Sequence, residues 1–208
     1  MGELDFENVV FGYGGNALFN GFSASFAKEQ ISCIVGPNGC GKSTLAKLAM
    51  GLIKPVSGRV LIQGRDVASL NPRERARRLG VLVQQQEAPM MTVRELAACG
   101  RFPHHGPLSR LDETDAQCID ETLSLAGVYD LRARPLRSLS GGQRQRARMA
   151  MVLAQDTPVV LLDEPTSFMD AAACFDMMRL VRRVRERGKT VIAVIHDLNL
   201  ALSVADAV

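Results

Sequence analysis

The stretch that most constrains this chain covers residues 36–44 and reads GPNGCGKST. It fits the pattern G-x-x-x-x-G-K-[ST] at every defined position. A short apolar run over residues 30–35 precedes it, and a run of helical composition over residues 45–50 follows it. The motif therefore lies between a predicted strand and a predicted helix. Because a phosphate-binding loop needs that order, we favour it over a glycine turn that contains a chance lysine.

Each residue type in this loop has a chemical reason to be there. The glycines leave backbone N–H groups open to phosphate oxygens, and the following helix adds its positive N-terminus. Lys42 is expected to reach the β- and γ-phosphates, and the Ser43 hydroxyl is expected to join the ligands of a Mg²⁺ ion. The loop alone predicts only the binding of a nucleoside triphosphate, because several ATPase and GTPase classes share it. The expected nucleotide contacts are Gly36, Pro37, Asn38, Gly39, Cys40, Gly41, Lys42, Ser43 and Thr44.

The composition is that of an ordinary globular protein, with 47% hydrophobic residues among 208. A net charge of +3 is too small to argue for a nucleic-acid partner. No apolar run approaches the ~18 residues of a membrane span, and the N-terminus lacks a signal-peptide pattern. The five cysteines contain no C-x-x-C pair, which predicts reduced thiols rather than disulfides or a zinc site.

The first part of the chain predicts β-structure. Residues 4–10 have the pattern of an exposed edge strand, and a glycine-rich turn over residues 12–15 follows. Tyr13 is expected in this flexible loop, where its ring could stack on a base or cover the sheet edge. Three phenylalanines are expected to face the core, namely Phe19, Phe22 and Phe26. Further strands are predicted over residues 59–64, 79–83, 158–164 and 190–195.

Between residues 87 and 138 the strand patterns disappear and helical patterns replace them. Thr92 and Glu95 have the spacing of a capping box, and a second helix is expected over residues 114–126. We therefore predict an α/β core that carries an inserted helical subdomain. The core is assigned to residues 1–86 and 139–208, and the insertion to residues 87–138.

Two groups of basic residues have structural interpretations. His104 and His105 lie in a loop rich in Gly and Pro, without Cys or acidic partners at ligand spacing, so we interpret them as loop residues rather than metal ligands. Four arginines follow a helix start at Pro72 and predict a solvated face, with a phosphate or partner contact as the alternative. They are Arg73, Arg75, Arg77 and Arg78.

A second glycine-rich helix start occurs at residues 139–143, which read LSGGQ. Ser140 is placed to cap the helix that follows, and the two glycines again expose backbone N–H groups at a helix N-terminus. The segment therefore predicts a second anion site in the same chain. An ordinary glycine loop before a capped helix fits the local chemistry equally well.

Two acidic residues end an apolar strand, and a histidine follows the next one. Asp163 and Glu164 come after the run over residues 158–162, and His196 comes after residues 190–195. Beside a phosphate loop, the first acid is suited to hold Mg²⁺ through water and the second to polarise the attacking water. A lone histidine is more often structural, but its place at the end of a core strand favours a role near the γ-phosphate.

Together these motifs resemble the nucleotide-binding subunit of ATP-binding cassette (ABC) transporters. The resemblance extends from about Leu4 to the end and includes GPNGCGKST, LSGGQ, VVLLDE and the histidine after VIAVI. It implies an α/β fold with a phosphate-loop ATPase core, an N-terminal antiparallel β portion and an inserted helical subdomain. It also implies two cofactors, ATP and Mg²⁺.

The resemblance assigns a role to each matching residue. Glu164 matches the general base, Asp163 the acid associated with Mg²⁺, and His196 the switch histidine. Tyr13 matches the aromatic that stacks on adenine, and Asp170 matches the loop that crosses between subunits. The glutamine that senses γ-phosphate and Mg²⁺ is Gln84, or Gln85 in the alternative register. The signature residues that would contact the partner's ATP are Ser140, Gly141, Gly142 and Gln143.

By the same resemblance, the chain is an ATPase that works as a head-to-tail homodimer. Multi-span permease subunits are the implied partners, with a substrate-binding protein acting indirectly, at the cytoplasmic face of the membrane. Residues 91–104 and 194–199 resemble the subgroup that serves importers of iron-siderophore, haem and cobalamin. The alternatives are a non-transport ABC ATPase that acts on nucleic acid or ribosomes, and a nucleotide-binding regulatory module without turnover.

The family pattern continues beyond Val208, where this sequence stops within what looks like the start of another strand. Loss of further strands would expose a sheet edge. We therefore expect a less stable protein that tends to associate.

Overall fold

The computed structural model describes residues 2–83, 88–105, 110–167 and 169–208. Within those ranges the chain forms eight strands and seven α-helices. The strands are β1 (Leu4–Tyr13), β2 (Asn16–Phe26), β3 (Ile31–Ile34), β4 (Ser57–Ile62), β5 (Arg65–Asp66), β6 (Leu79–Leu82), β7 (Val159–Asp163) and β8 (Thr190–Val194). The helices are α1 (Lys42–Ala49), α2 (Pro72–Ala76), α3 (Val93–Cys99), α4 (Glu113–Leu125), α5 (Gly141–Ala154), α6 (Ala171–Glu186) and α7 (Leu198–Val204).

A parallel sheet with the order β3-β8-β7-β6 forms the centre of the molecule. Its register places Val194 beside Ile34 on one side and beside Asp163 on the other. The carboxyl ends of β3, β8 and β7 therefore lie level with one another. Ligands of open parallel sheets bind outside this edge, so the residues that follow these three strands lie where a site is expected.

A second, antiparallel sheet has the order β2-β1-β4-β5. β1 lies in the middle of this sheet, so the prediction of an exposed edge strand over residues 4–10 is wrong. Its Leu4, Phe6 and Val9 side chains are buried in a cluster that also contains residues of α1 and β7. The sequence analysis named no strand over residues 16–26, where β2 forms with several bulges.

Two hydrophobic clusters cover the two faces of the parallel sheet. Alternate residues of β7 enter different clusters, because successive side chains of a strand point to opposite faces. Val159 and Leu161 pack with α1 and the antiparallel sheet, as do Phe19 and Phe26. Val160 and Leu162 pack on the other face, against residues of helices α3 to α7. The burial of Phe19 and Phe26 confirms that they face the core.

Helices dominate the stretch between β6 and α5. Thr92 and Asp112 cap α3 and α4, and the predicted capping box of Thr92 with Glu95 is present. No β-strand is assigned in residues 88–105 or 110–138, although Thr92 and Pro135 form an isolated bridge. Both helices share one hydrophobic cluster with α5 and the sheet. The α/β fold class is confirmed, whereas the boundaries at residues 87 and 138 stay a prediction.

Residues 101–105, which we call the strap, connect this helical stretch to α2. Arg73 Nε and Arg77 Nε donate to the Pro103 carbonyl at 2.8 and 2.7 Å, respectively. These arginines therefore bind the protein's own backbone, and Arg75 and Arg78 also donate hydrogen bonds to described residues. Arg73 and Arg77 are exposed, in agreement with the predicted solvated face, whereas Arg75 and Arg78 are half-buried.

Both histidines of the strap, His104 and His105, contact other parts of the protein. His105 Nε2 lies 2.7 Å from Asp115 Oδ2, and Arg101 Nε donates to Asp115 Oδ1 at 2.8 Å. His104 Nε2 lies 2.8 Å from the carbonyl oxygen of Gln155, just after α5. The fold brings Asp115 to His105, a contact that the spacing along the sequence does not show.

The last residues lie along the free side of β3. Ala207 forms a parallel bridge with Ser32, and the Ile31 N–H donates to the Asp206 carboxylate at 2.8 Å. Helix α7, which the sequence analysis did not name, precedes this contact and packs Ala201 and Val204 into the core. The expected tendency to associate stays a prediction.

Candidate active site

The phosphate-loop motif forms the connection between β3 and α1. Gly41 precedes α1 with a φ of 104°, and Gly39 has a φ of 82°, both in the left-handed region that favours glycine. A Cβ on Gly41 would lie only 2.6 Å from the Phe19 ring atom Cζ. Glycine is therefore required at position 41 both for its backbone conformation and for the close approach of β2.

The Lys42 side chain folds back over the loop. Its Nζ donates to the carbonyl oxygens of Gly36 and Pro37 at 2.7 and 2.8 Å, and the residue is only 7% exposed. Cys40 Sγ lies 3.9 Å from the same nitrogen. The loop thus curls around a buried ammonium group, which provides positive charge at the N-terminus of α1.

Asp163, the last residue of β7, faces this loop. It is 7% exposed, and the Ser43 hydroxyl lies 3.5 Å from its Oδ1. Burial raises the pKa of this carboxyl, and the nearby charge of Glu164 adds to the effect, while Ser43, Lys42 and His196 oppose it. The structure therefore brings together the two oxygen groups that the sequence assigned to Mg²⁺, without giving Asp163 a strong hydrogen bond.

Glu164 follows directly, and both of its carboxylate oxygens have a side-chain partner. Its φ is 53°, an uncommon conformation for a residue other than glycine. His196 Nε2 lies 2.5 Å from its Oε1, and the Ser167 hydroxyl donates to its Oε2 at 2.8 Å. Burial raises the pKa of this carboxyl, but the contacts with His196 and Ser167 outweigh burial and lower it. The residues that follow β7 and β8 are thus in direct contact, which the sequence did not predict.

The signature segment caps α5 as the sequence predicts. The Ser140 hydroxyl accepts a hydrogen bond from the Gln143 N–H at 3.2 Å, and the Gln143 side chain accepts one from the Ser140 N–H at 3.1 Å. Among the described residues, no hydrogen bond joins this segment to the phosphate loop. The two glycine-rich helix starts are therefore separate features of one chain.

Asp170 lies close to the signature segment. Its side chain caps α6 by accepting from the Ala173 N–H at 2.8 Å. A Cβ built on Gly142 would lie 3.6 Å from Ala173 Cβ, so the starts of α5 and α6 are neighbours. The residues that the resemblance assigned to the partner subunit thus share one part of the surface.

Tyr13 is placed differently from its prediction. It ends β1 and pairs with Asn16 across a tight turn at Gly14 and Gly15, so it does not lie in a flexible loop. Its ring is 52% exposed and packs edge-on against Phe11. The same hairpin reaches the phosphate loop through Phe19, which leaves the adenine assignment as a prediction.

The two candidates for the glutamine that senses γ-phosphate, Gln84 and Gln85, lie outside the described residues. Sequence reasoning missed Ser167, although a hydroxyl three residues after a strand-end acid is a recognisable turn signal. It also missed a cavity of about 540 Å³ beside Glu164, between α6 and α7.

No helix in the described ranges is long and apolar enough to cross a bilayer.

The family comparisons agree with this geometry. A protein-family model described as ABC transporter matches residues 19–167. The achromobactin transport ATP-binding protein CbrD of Dickeya dadantii (strain 3937) is 41% identical over 208 residues, covering 99% of this chain and 77% of that protein. The iron(3+)-hydroxamate import ATP-binding protein FhuC of Bacillus subtilis (strain 168) is 39% identical over 203 residues, covering 97% and 76%, respectively.

Solved structures show the same fold. The dimeric MJ0796, a bacterial ABC transporter cassette, has a TM-score of 0.83 and 28% identity, covering 96% of this chain and 90% of that one. The chain therefore belongs to the ABC transporter family, in which it is an ATP-binding, ATP-hydrolysing subunit.

Proposed function

We propose that this chain powers the import of an iron chelate by hydrolysing ATP in a head-to-tail pair of cassettes. The observation that carries the proposal is the presence of two separate glycine-rich helix starts, at α1 and α5, in one chain. Each exposes backbone N–H groups suited to phosphate oxygens. A second copy turned by a two-fold axis would bring the α5 start of one subunit to the phosphate loop of the other.

The residues around the phosphate loop support a division of roles. Lys42 would exchange the carbonyls of Gly36 and Pro37 for β- and γ-phosphate oxygens, since an ammonium group gains more from charged partners. Glu164 would take a proton from the attacking water, and His196 would hold its Oε1. Gln84, or Gln85 in the alternative register, is proposed to sense the γ-phosphate.

The donor set also suits a magnesium ion. Ser43 Oγ and Asp163 Oδ1 are hard oxygen groups 3.5 Å apart at the loop. Over the described residues, no group of three or more His, Cys, Asp or Glu could hold a metal alone, so nucleotide oxygens must complete the ligands. Bound Mg²⁺ would neutralise charge on the phosphates. Ser43 and Asp163 would orient it, directly or through water.

The transported class rests on relatedness rather than on the site. FhuC is named for the import of iron(3+)-hydroxamate, and CbrD for the transport of achromobactin. Residues 91–104 and 194–199 also resemble the subgroup that serves importers of iron-siderophore, haem and cobalamin. We therefore place the chain with permease subunits at the cytoplasmic face of a membrane, and rank iron chelates above haem and cobalamin. None of the relatives described above is named for a role on nucleic acid or ribosomes, or for a regulatory role without ATP turnover.

The Glu164→Gln variant tests the catalytic assignment. It keeps the size of the side chain but removes the proton acceptor, so phosphate release should fall by about 10²–10⁴. ATP should then accumulate in a stable dimer, visible by size exclusion. The control is Glu186→Gln at the exposed end of α6, which should hydrolyse ATP normally. Unchanged turnover of the Glu164 variant would contradict the assignment.

Uptake by the host cell tests the transported class. Deleting the gene for this chain should abolish uptake of radioactive iron bound to a hydroxamate chelator and leave cobalamin uptake intact. Complementation with the wild-type chain, but not with the Glu164→Gln variant, should restore uptake. Loss of cobalamin or haem uptake alone would reassign the substrate and leave the ATPase assignment standing.

A further inference from the structure

The turn after β7 holds the main chain of Glu164 from both sides. The Glu164 N–H donates to the Val194 carbonyl at 3.1 Å, and the Ser167 N–H donates to the Glu164 carbonyl at 3.2 Å. Since a left-handed conformation costs a residue with a side chain about 1 kcal/mol or more, these bonds stabilise a strained position. Ser167 is thus already a backbone partner of Glu164.

The Ser167 side chain adds a second, independent contact. Its hydroxyl donates to Glu164 Oε2 at 2.8 Å, while His196 Nε2 lies 2.5 Å from the other oxygen, Oε1. The two partners come from different elements, because His196 follows β8 and Ser167 belongs to the turn after β7. Two fixed points on two oxygens define the plane of the carboxylate.

Open space beside the carboxylate makes this restraint necessary. The cavity of about 540 Å³ is lined by Glu164, Ser167, His196, Phe175 and Leu200, among others. A glutamate side chain has several rotamers, and the cavity gives it room to rotate away from the orientation that Ser167 and His196 define. The Ser167 hydroxyl opposes that rotation.

We propose that Ser167 is a positioning residue for ATP hydrolysis, whose hydroxyl fixes the orientation of the Glu164 carboxylate. The inference rests on the proposed function, because it assumes that Glu164 activates the attacking water. Misplacing a reacting group by about 1 Å can cost on the order of a hundredfold in rate. Since the His196 contact would remain, a smaller loss follows from removing Ser167 alone.

The test compares three single variants by phosphate release. Ser167→Ala should lower kcat about tenfold and leave KM for ATP within about twofold, the result of losing an interaction that acts only on the chemical step. Ser167→Thr keeps the hydroxyl and should recover kcat to within about threefold of wild type. Ser203→Ala is the matched control, because Ser203 lines the same cavity but donates to the Leu200 carbonyl at 2.7 Å.

A double variant separates positioning from a structural effect. If Ser167 acts only through Glu164, Ser167→Ala should cause no further loss in the Glu164→Gln background. The melting midpoint of Ser167→Ala should match wild type, because the backbone bond of the turn needs no side chain.

Several outcomes overturn the inference. They are a wild-type kcat in Ser167→Ala, a raised KM, a loss that Thr does not rescue, or an additional loss in the double variant. Normal turnover in Glu164→Gln, or none in the wild-type chain, would instead contradict the proposed function.

Discussion

Two clusters of charged and polar side chains in this chain each contain a buried aspartate. The clusters differ in how many hydrogen-bond donors surround the aspartate carboxylate. The strap cluster consists of Arg101, His105 and Asp115. The strand-end cluster consists of Lys42, Ser43, Asp163, Glu164 and His196. Asp115 has two charged or ionisable partners within 2.8 Å, whereas the Ser43 hydroxyl is 3.5 Å from Asp163.

The pKa values follow this difference. Burial raises the pKa of Asp115, but hydrogen bonds from the Asp112 N–H, Arg101 and His105 outweigh burial and hold it well below its usual range. For Asp163, burial outweighs the contacts with Ser43, Lys42 and His196, so the pKa of this carboxyl is raised. A buried carboxylate with a complete set of donors stabilises the fold, whereas one without them marks a place where a ligand can supply the missing charge.

The largest expected effect comes from removing the charge of Asp115. Asp115→Asn leaves Arg101, whose side chain is only 13% exposed, without its acid. Breaking a buried pair in this way costs about 3–5 kcal/mol of unfolding free energy. Urea denaturation measures it, with Asp120→Asn as control. Because the Arg94–Asp120 pair is about 40% exposed on both sides, its loss should cost about 1 kcal/mol or less.

The same variant has a defined pH dependence. Because the native pKa of Asp115 lies below the unfolded value of about 3.9, its contribution to stability is present above that pH and is lost as the pH falls below it. The stability difference between wild type and Asp115→Asn should therefore shrink on acidification. A difference that is constant with pH would show that the charge of Asp115 is not what stabilises the strap.

Alkylation of Cys40 tests whether the strand-end cluster is open to ligands. Cys40 is exposed and lies 3.9 Å from Lys42 Nζ. Burial raises the pKa of the other four thiols, that of Cys33 to about 11, so a maleimide should react first at Cys40. ATP affinity should fall at least about tenfold, which is ~1.4 kcal/mol.

Protection and a matched variant complete the alkylation experiment. Mg-ATP should slow labelling of Cys40 and leave labelling of the other thiols unchanged. The Cys40→Ser variant should bind ATP and resist inactivation. Labelled Cys40 with intact ATP affinity would show that the loop does not cradle the phosphates.

The smallest effect, with the opposite sign, is expected at Asp163. Since burial disfavours its charge in the absence of nucleotide, Asp163→Asn should raise the free energy of unfolding by about 0.5–2 kcal/mol. ATP hydrolysis should be lost at the same time. Destabilisation of the size expected for Asp115→Asn would remove the distinction between the two clusters.

The sequence predicted the strand-end cluster more fully than the strap cluster. Residues 36–44 and the acids after β7 could be placed because each belongs to a short motif, and parallel strands bring their carboxyl ends to one edge. In the strap cluster, Arg101 and Asp115 are 14 positions apart, and His105 precedes Asp115 across a separate loop, so no local pattern shows these contacts. Tyr13 was predicted to lie in a loop because the glycines beside it, at positions 12, 14 and 15, are typical of loops. In the structure they belong to a hairpin of two bulged strands.

The strap has a mechanical consequence. From one side α2 holds its backbone, through arginine bonds to the Pro103, His104 and His105 carbonyls. From the other side Asp115 of α4 holds the side chains of Arg101 and His105. A rotation of α4 relative to α2 must carry the strap along or break one of these two sets of bonds. The strap therefore couples the position of α4 to that of α2 for as long as both sets of bonds are intact.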